Sequence, residues 1–156
     1  MKAIDGYDKL RGGYYTPTDI ADFIKSTAAT PKKDLEELWK RIVFNMLVSN
    51  TDDHLRNHGF LLTDKGWALS PLYDVNPNPY GEYLSLNVDA NDPAISTELA
   101  LGACELYGIK PTKAKTSICE MKKTVHENWR QVATKNGISR SEQSYMESAF
   151  NEAARR

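Results

Sequence analysis

The chain has 156 residues, of which 40% are hydrophobic and 26% are charged, and its formal net charge is −1. That length suits one domain with a buried core, and the composition is ordinary for a soluble globular protein and unlike that of a low-complexity or disulfide-rich chain. No apolar run reaches the roughly eighteen residues of a membrane span, and the N-terminus lacks an apolar signal-peptide core, so we expect a cytoplasmic protein.

The first part of the chain is predicted to contain two helices. The first begins at Thr16-Pro17 and ends near Ala29. Thr30-Pro31 marks the start of the second, over residues 32–48, because a threonine cap and a first-turn proline favour a helix start. The apolar residues of this second helix recur at the spacing of one buried face: Leu35, Leu38, Trp39, Ile42, Val43 and Met46.

Residues 49–82 are predicted to form a loop, a hairpin and a second loop. Two short apolar runs within residues 59–70 flank a turn that contains glycine, which is typical of a β-hairpin. Residues 83–88 alternate in polarity, which predicts a short strand, and Asp92-Pro93 then marks a turn.

Residues 97–155 are predicted to be helical, with short breaks. The first helix, Glu98–Tyr107, is closed by Gly108. A long helix begins at Pro111 and ends at Asn136-Gly137. The last helix begins with the capping box Ser139–Glu142 and continues through Phe150. The predicted fold is therefore a mostly helical α+β domain over residues 1–156, with one small sheet.

The distribution of charge and the two cysteines give no clear sign of a binding or metal site. Residues 1–109 carry a net charge of −6 and residues 110–156 a net charge of +5. We interpret the basic part as a solvated helix face, with contact to an acidic partner or DNA as the alternative. Cys104 and Cys119 lack metal-site spacing, so we expect two buried free thiols.

Asp52, Asn57 and Asp74 follow one another in the order that kinases use for phosphoryl transfer. Asn57 lies five positions after Asp52, and Asp74 lies seventeen positions after Asn57. In that class the first aspartate accepts the proton of the attacking hydroxyl, and the other two residues hold Mg²⁺ on the phosphates of ATP. The spacing D-x-x-x-x-N is weak alone, because such residues are common in turns. Its position between a packed helix and a hairpin strengthens it.

This region closely resembles the HipA family from about Asp34 to Pro77. The resemblance rests on three linked motifs in order: Leu38–Asn45, Asn50–Leu61 and Trp67–Pro77. Members of that family are bacterial serine/threonine kinases that act as toxins of toxin–antitoxin pairs. The resemblance implies a protein-kinase-like C-terminal lobe that uses ATP and Mg²⁺, with a catalytic loop over residues 49–58 and a metal-aspartate segment over residues 70–77.

The resemblance also implies roles for individual residues and partners. Asp52 is the catalytic base, Asn57 and Asp74 hold Mg²⁺, and His54 and Tyr73 lie against the nucleotide. The implied substrate is a hydroxyl of a cytosolic protein such as an aminoacyl-tRNA synthetase, whose modification would arrest growth. The implied partner is an antitoxin, and DNA is contacted only through that antitoxin.

The parts of a kinase N-terminal lobe are not recognisable in the sequence. A kinase needs a loop over the phosphates and a strand lysine paired with a helix glutamate. No G-x-G-x-x-G or G-x-x-x-x-G-K-[ST] motif occurs, Gly12-Gly13 predicts a turn, and Lys2 and Lys9 lie in a polar segment. We therefore expect the N-terminal lobe to be absent, as in a truncated gene product, one half of a split kinase or an expression fragment.

Two alternatives to a kinase remain open at this point. The first is a non-catalytic module that binds an antitoxin or a separate N-terminal lobe chain. The second is a metal-dependent hydrolase that uses His54 and His58. The hydrolase is the weaker alternative, because the segment is composed of poor helix formers and has no glutamate beside the first histidine. Asp53 either caps the turn or contacts a residue of the site, and we favour the structural role.

Overall fold

The computed structural model describes residues 17–85 and 94–155. The predicted turns at Gly12-Gly13 and Asp92-Pro93, Lys2, Lys9 and most of the predicted strand 83–88 lie outside the described residues. The elements follow in chain order as α1 (Pro17–Thr27), α2 (Pro31–Leu47), a 3₁₀ turn (Leu55–Asn57), β1 (Phe60–Thr63), β2 (Gly66–Leu69), α3 (Thr97–Gly102), a 3₁₀ turn (Cys104–Tyr107), α4 (Pro111–Lys135), α5 (Arg140–Tyr145), a 3₁₀ turn (Glu147–Phe150) and α6 (Asn151–Ala154).

Helix α2 is the centre of the fold, as its apolar periodicity predicts. It contacts α1, α3, α4 and α6, and its side chains Leu38, Trp39 and Val43 are fully buried. Burial of such large apolar side chains is the main favourable term in folding, at about 1.5–3 kcal/mol for each. The end of α2 is therefore a rigid base for the loop that follows it.

Strands β1 and β2 form the predicted hairpin. They pair antiparallel, with Phe60 opposite Leu69 and Thr63 opposite Gly66. Phe60 is buried in the core, and the backbone N–H of Ala29 donates to the carbonyl oxygen of Trp67 at 2.7 Å. The hairpin is thus fastened to the end of α1, and its second strand leads directly into segment 70–77.

The predicted helix 98–107 is interrupted, which the sequence did not show. Helix α3 ends at Gly102, and a 3₁₀ turn follows before Gly108, whose φ of +71° is the left-handed closing conformation predicted for it. The indole Nε1 of Trp39 donates to the carbonyl oxygen of Ala100 at 2.8 Å. An uninterrupted helix would pair that carbonyl with the N–H of Cys104, so a tertiary contact competes with the helix here.

The last predicted helix is also divided, and two local predictions need correction. The capping box of Ser139 and Glu142 is present and begins α5 as predicted, but a 3₁₀ turn separates α5 from α6. Thr30 precedes α2 without capping it, because its hydroxyl donates to the Asp34 carboxylate at 3.3 Å. Cys104 is buried as expected, whereas Cys119 is exposed on α4, and both thiols are free.

None of the helices within residues 17–85 and 94–155 combines the length and the apolar character that crossing a bilayer requires.

Candidate active site

Loop 49–58 begins where α2 ends. Ser49 adopts a φ of +48°, which turns the chain sharply, and the N–H of Asn50 donates to the carbonyl oxygen of Asn45 at 2.8 Å. A non-glycine residue with positive φ is uncommon and needs support from its surroundings. Because the turn is anchored on the packed end of α2, the loop starts from a fixed position.

Asp52 and Asn57 contact each other across this loop. The Asn57 side chain is buried, and its Nδ2 donates to the backbone carbonyl oxygen of Asp52 at 3.1 Å. That bond commits the amide nitrogen, so the amide oxygen is the atom that Asn57 can offer to a cation. The Asp52 carboxylate is exposed, as a group that meets a substrate hydroxyl must be.

Asp74 lies in segment 70–77 in an unusual backbone conformation. Its φ is +55°, and aspartate is one of the few non-glycine residues that tolerate the left-handed region. Its carboxylate is exposed, and Oδ1 accepts from Nδ2 of Asn76 at 2.9 Å. The second carboxylate oxygen is the one that this contact leaves for a cation.

The structure brings loop 49–58 and segment 70–77 together. The hydroxyl of Tyr73 donates to the carbonyl oxygen of Arg56 at 2.7 Å. This bond joins the residue before Asp74 to the residue before Asn57, so the two predicted metal ligands lie on adjoining segments. One amide oxygen and one exposed carboxylate suit Mg²⁺, which takes few protein ligands and completes its shell with phosphate and water.

Segment 70–77 is also held at its start. The buried guanidinium of Arg41 on α2 donates through Nη2 to the carbonyl oxygen of Ser70 at 2.6 Å. The N–H of Ser70 donates to the carbonyl oxygen of Gly59, just before β1, at 2.8 Å. The start of the segment that carries Asp74 is therefore fixed to packed elements.

The chain that follows segment 70–77 folds back over loop 49–58. The amide Nδ2 of Asn78 donates to the hydroxyl of Thr51 at 2.8 Å, and the N–H of Ser85 donates to the carbonyl oxygen of Thr51 at 3.1 Å. A Cβ at Gly81 would lie only 2.2 Å from the Thr51 side chain. Only glycine permits this close approach.

The two histidines of the loop have different environments. His54 is half-buried, and its Nδ1 has no hydrogen-bond partner among the described residues. His58 is buried, and its Nε2 lies 2.9 Å from Oδ1 of Asp53. A carboxylate only accepts, so Nε2 carries the hydrogen in that contact. Asp53 thus has the structural role expected for it.

The hydrolase alternative loses its main support. Leu55–Asn57 form a 3₁₀ turn, not the α-helix that would place the two histidines on one face. Among residues 17–85 and 94–155, no three His, Cys, Asp or Glu side chains cluster as a metal site would require. The geometry favours a site with oxygen ligands over one with imidazole ligands.

A polar network next to the site, buried except at Asn76, was missed by the sequence analysis. Nδ2 of Asn45 donates to Oδ2 of Asp53 at 2.7 Å, and Nδ2 of Asn50 donates to Oδ1 of Asn45 at 3.2 Å. The N–H of Asn76 donates to Oδ1 of Asn50 at 3.3 Å, and Asp53 contacts His58. We call these five residues the polar network. Its only signal in the sequence was Asn45, an amide among the apolar residues of α2.

The comparisons with known proteins decide the family. The model of the HipA-like C-terminal domain matches residues 2–129. The chain belongs to this family. The resemblance predicted from residues Asp34 to Pro77 is therefore confirmed.

Relatives of this HipA-like chain are named as kinases. The chain is 33% identical to a protein of Sinorhizobium fredii (strain NBRC 101917 / NGR234) named "Putative kinase Y4mE". That match spans 57 residues, which are 36% of this chain and 14% of the relative. Over 118 residues it is 31% identical to a Haemophilus influenzae protein (strain ATCC 51907 / DSM 11121 / KW20 / Rd) named "Putative kinase", covering 69% of this chain and 34% of the relative. The HipA-like chain thus spans about a third or less of the length of these relatives.

A solved structure confirms the predicted fold. HipA of Shewanella oneidensis MR-1, solved in complex with HipB and its operator DNA, matches 98% of this chain and 37% of that chain with a TM-score of 0.73. The sequence identity is 15%, so the match concerns the fold alone. The mostly helical, kinase-like fold with one small hairpin is the one expected from the sequence.

Proposed function

We propose that this chain forms the C-terminal catalytic lobe of a HipA-like protein serine/threonine kinase that transfers the γ-phosphate of ATP to a hydroxyl of a cytosolic protein. The observation that carries the proposal is the Tyr73–Arg56 hydrogen bond of 2.7 Å. It joins segment 70–77, which carries Asp74, to loop 49–58, which carries Asp52 and Asn57. Family membership and relatives named as kinases support the same reaction class.

Each residue has a defined task in this proposal. The exposed carboxylate of Asp52 accepts the proton of the substrate hydroxyl. Asn57 and Asp74 hold Mg²⁺, which neutralises charge on the phosphates when it is bound. His54, which is half-buried, lies against the nucleotide in this proposal, as the family resemblance implies. The hydroxyl of Tyr73 is already committed to Arg56, so this side chain meets the nucleotide through its ring.

The proposal extends to a role as a growth-arresting toxin in the cytoplasm. The Shewanella structure contains HipA with HipB and operator DNA. By analogy, the partner of the whole protein is an antitoxin, and DNA is reached through it. An aminoacyl-tRNA synthetase is the substrate that the family resemblance suggests. The alternative is a non-catalytic lobe that binds such a partner, and the absence of Mg-ATP binding would favour it.

Calorimetric titration of Mg-ATP tests the metal ligands. The unchanged chain should bind Mg-ATP, and Asp74→Asn should weaken that binding at least about tenfold, because even residues behind a metal ligand change metal affinity by 10–100-fold. Asp64→Asn, on the exposed hairpin turn, is the matched control and should bind normally. Equal affinity for Asp74→Asn and the unchanged chain would refute the assignment of Asp74.

Asp52→Ala tests the base. In a kinase that contains this lobe, the variant should lose about 10²–10⁴-fold in phosphoryl transfer, the range for a general base. Binding of Mg-ATP and the thermal midpoint should stay unchanged, because the Asp52 contact to Asn57 uses only the backbone oxygen. Retained turnover would refute the assignment.

A further inference from the structure

Asn50 connects loop 49–58 to segment 70–77 through its side chain. Its Oδ1 accepts from the backbone N–H of Asn76 at 3.3 Å, and its Nδ2 donates to Oδ1 of Asn45 at 3.2 Å. Asn50 and Asn45 are each only 1% exposed. A buried amide that uses its donor and its acceptor on two different elements fixes the distance between those elements.

The connection continues to both sides of the site. From Asn45 the polar network runs to Asp53 at 2.7 Å and on to His58 at 2.9 Å. Each residue proposed to act on the substrate or the metal lies within two positions of a network member: Asp52 beside Asp53, Asn57 beside His58, and Asp74 two residues before Asn76. One polar network, buried except at Asn76, therefore lies next to all three functional positions along the chain.

The chemistry of position 50 is specific. Aspartate would keep the acceptor for Asn76 but lose the donor for Asn45, and alanine would lose both. When a partly buried backbone N–H has no acceptor, the protein loses most of the stability that the hydrogen bond contributed. The other contact near this point, Nδ2 of Asn76 to Asp74 at 2.9 Å, depends on where the Asn76 backbone lies.

We propose that Asn50 is a positioning residue, which holds the backbone of Asn76, and through it the Asp74 carboxylate, in register with Asn57. The inference rests on the proposed function for the identity of the metal ligands. The link between Asn50 and Asn76 does not depend on that function and can be measured separately. Asn50 itself touches neither nucleotide nor metal in this proposal.

Two measurements on Asn50→Ala separate the link from the function. The first is amide hydrogen exchange of Asn76 by NMR, which should become about tenfold faster when its hydrogen bond is lost. The second is the affinity for Mn²⁺ in the presence of ATP, followed by electron paramagnetic resonance, which should fall about tenfold, as for residues that orient metal ligands. Asn128→Ala, an exposed amide on α4, is the matched control and should change neither.

Asn50→Asp is the second variant, in case Asn50→Ala does not fold. It keeps the oxygen that accepts from Asn76, so the Asn76 amide should stay protected in this variant. Its Mn²⁺ affinity should also stay within about threefold of the unchanged chain, because the backbone of segment 70–77 is still held. Loss of both properties in folded Asn50→Asp would contradict the proposed link.

The outcomes are distinguishable. Unchanged exchange at Asn76 in folded Asn50→Ala overturns the link. Faster exchange with unchanged Mn²⁺ affinity overturns the positioning role. A third outcome is that the unchanged chain binds no Mn²⁺ with ATP, while the Asn76 amide exchanges faster in Asn50→Ala. The metal role of Asp74 and the positioning role of Asn50 then both fail, and Asn50 is a structural link only.

Discussion

The loop region (residues 49–85) and helix α4 differ in how far along the sequence their hydroxyl and amide side chains reach for hydrogen-bond partners. On α4, side chains such as Thr116, Thr124 and Thr134 donate to the backbone carbonyl four residues earlier. In the loop region several side-chain bonds instead join residues far apart in the sequence, such as Asn50 and Asn76, which are 26 positions apart. The first kind follows from helical geometry alone, whereas the second exists only when the whole fold is formed.

Burial differs in the same way. Helix α4 has 25 residues, of which only Ala114 and Ile118 are buried, so most of its positions tolerate change. The loop region has little regular structure, yet it buries polar side chains such as Asn50, Asp53 and Asn57. A buried polar group is costly when its partner is removed. We therefore expect substitutions in the loop region to have larger effects than most substitutions on α4.

The largest effect is expected from Asp53→Ala. The change leaves Nδ2 of Asn45 and Nε2 of His58 without an acceptor in the interior. Loss of one member of a buried polar pair should lower the free energy of unfolding by about 3–4 kcal/mol. Urea denaturation measures this, and a loss below about 1 kcal/mol would contradict the contrast between the regions.

A reversed pair sharpens this prediction. In Asn45→Asp with Asp53→Asn, the carboxylate moves to α2 and the amide to the loop, and every hydrogen bond between the two positions can form again with its direction reversed. The double variant should recover at least about half of the stability lost in Asp53→Ala. Failure to recover would mean that the charge at position 53 matters beyond its hydrogen bonds.

A smaller effect is expected on α4, and only at its buried positions. Ile118→Ala removes a side chain that is 7% exposed and should cost about 2–3 kcal/mol of unfolding free energy. Val132→Ala, on the same helix but 56% exposed, should change it by less than about 0.5 kcal/mol. Thermal and urea unfolding of the two variants, measured in parallel, check this. Equal losses of unfolding free energy in the two variants would contradict the exposure of Val132 and mean that both positions of α4 are packed.

The smallest effect concerns the ion pair between α2 and α4. The Lys113 ammonium, 2.6 Å from Glu36, and then Lys40 lower the pKa of the Glu36 carboxyl below its ordinary value of 4.5. The folded pKa is therefore below the unfolded one, so the stabilisation is present above the unfolded pKa and is lost as the pH falls through the folded pKa.

Lys113→Ala should accordingly lower the free energy of unfolding by about 0.5 kcal/mol near pH 7 and have no effect near pH 2–3. Lys115→Ala, on the same helix, is the control and should show no such pH dependence. Denaturation curves at the two pH values measure the difference. A loss for Lys113→Ala that persists in acid would mean that the side chain contributes by packing and not by charge.

The same contrast explains what the sequence could predict. Helices α2 and α4 follow from apolar periodicity and terminal prolines, and the hairpin follows from two short apolar runs around a glycine turn. The break between α3 and the 3₁₀ turn at Cys104–Tyr107 was not predicted, and the Trp39 indole that bonds to the Ala100 carbonyl there lies 61 positions away in the sequence. Sequence patterns reflect local conformational preferences and do not reveal hydrogen-bond partners that are distant in the sequence.

The sequence indicated the candidate residues of the site but not the contacts that hold them. Asp52, Asn57 and Asp74 are recognisable from order and spacing, and the structure places their segments side by side through the Tyr73–Arg56 bond. Their roles stay predictions until the proposed experiments are made. The polar network could not be predicted, because asparagine is common in turns and nothing in the residues around Asn50 indicates that its side chain is buried.

The chain just after segment 70–77 is fastened to the C-terminal helices, and this affects the order of folding. The Tyr80 hydroxyl meets that of Tyr145, 65 positions later, and the Ser148 hydroxyl donates to the carbonyl oxygen of Pro79, 69 positions earlier. Closing loops of this size costs entropy before any contact is gained, so such contacts form late and slow the reaction. A refolding molecule should therefore acquire α2 and the hairpin first, and its site should become complete only after α5 has docked.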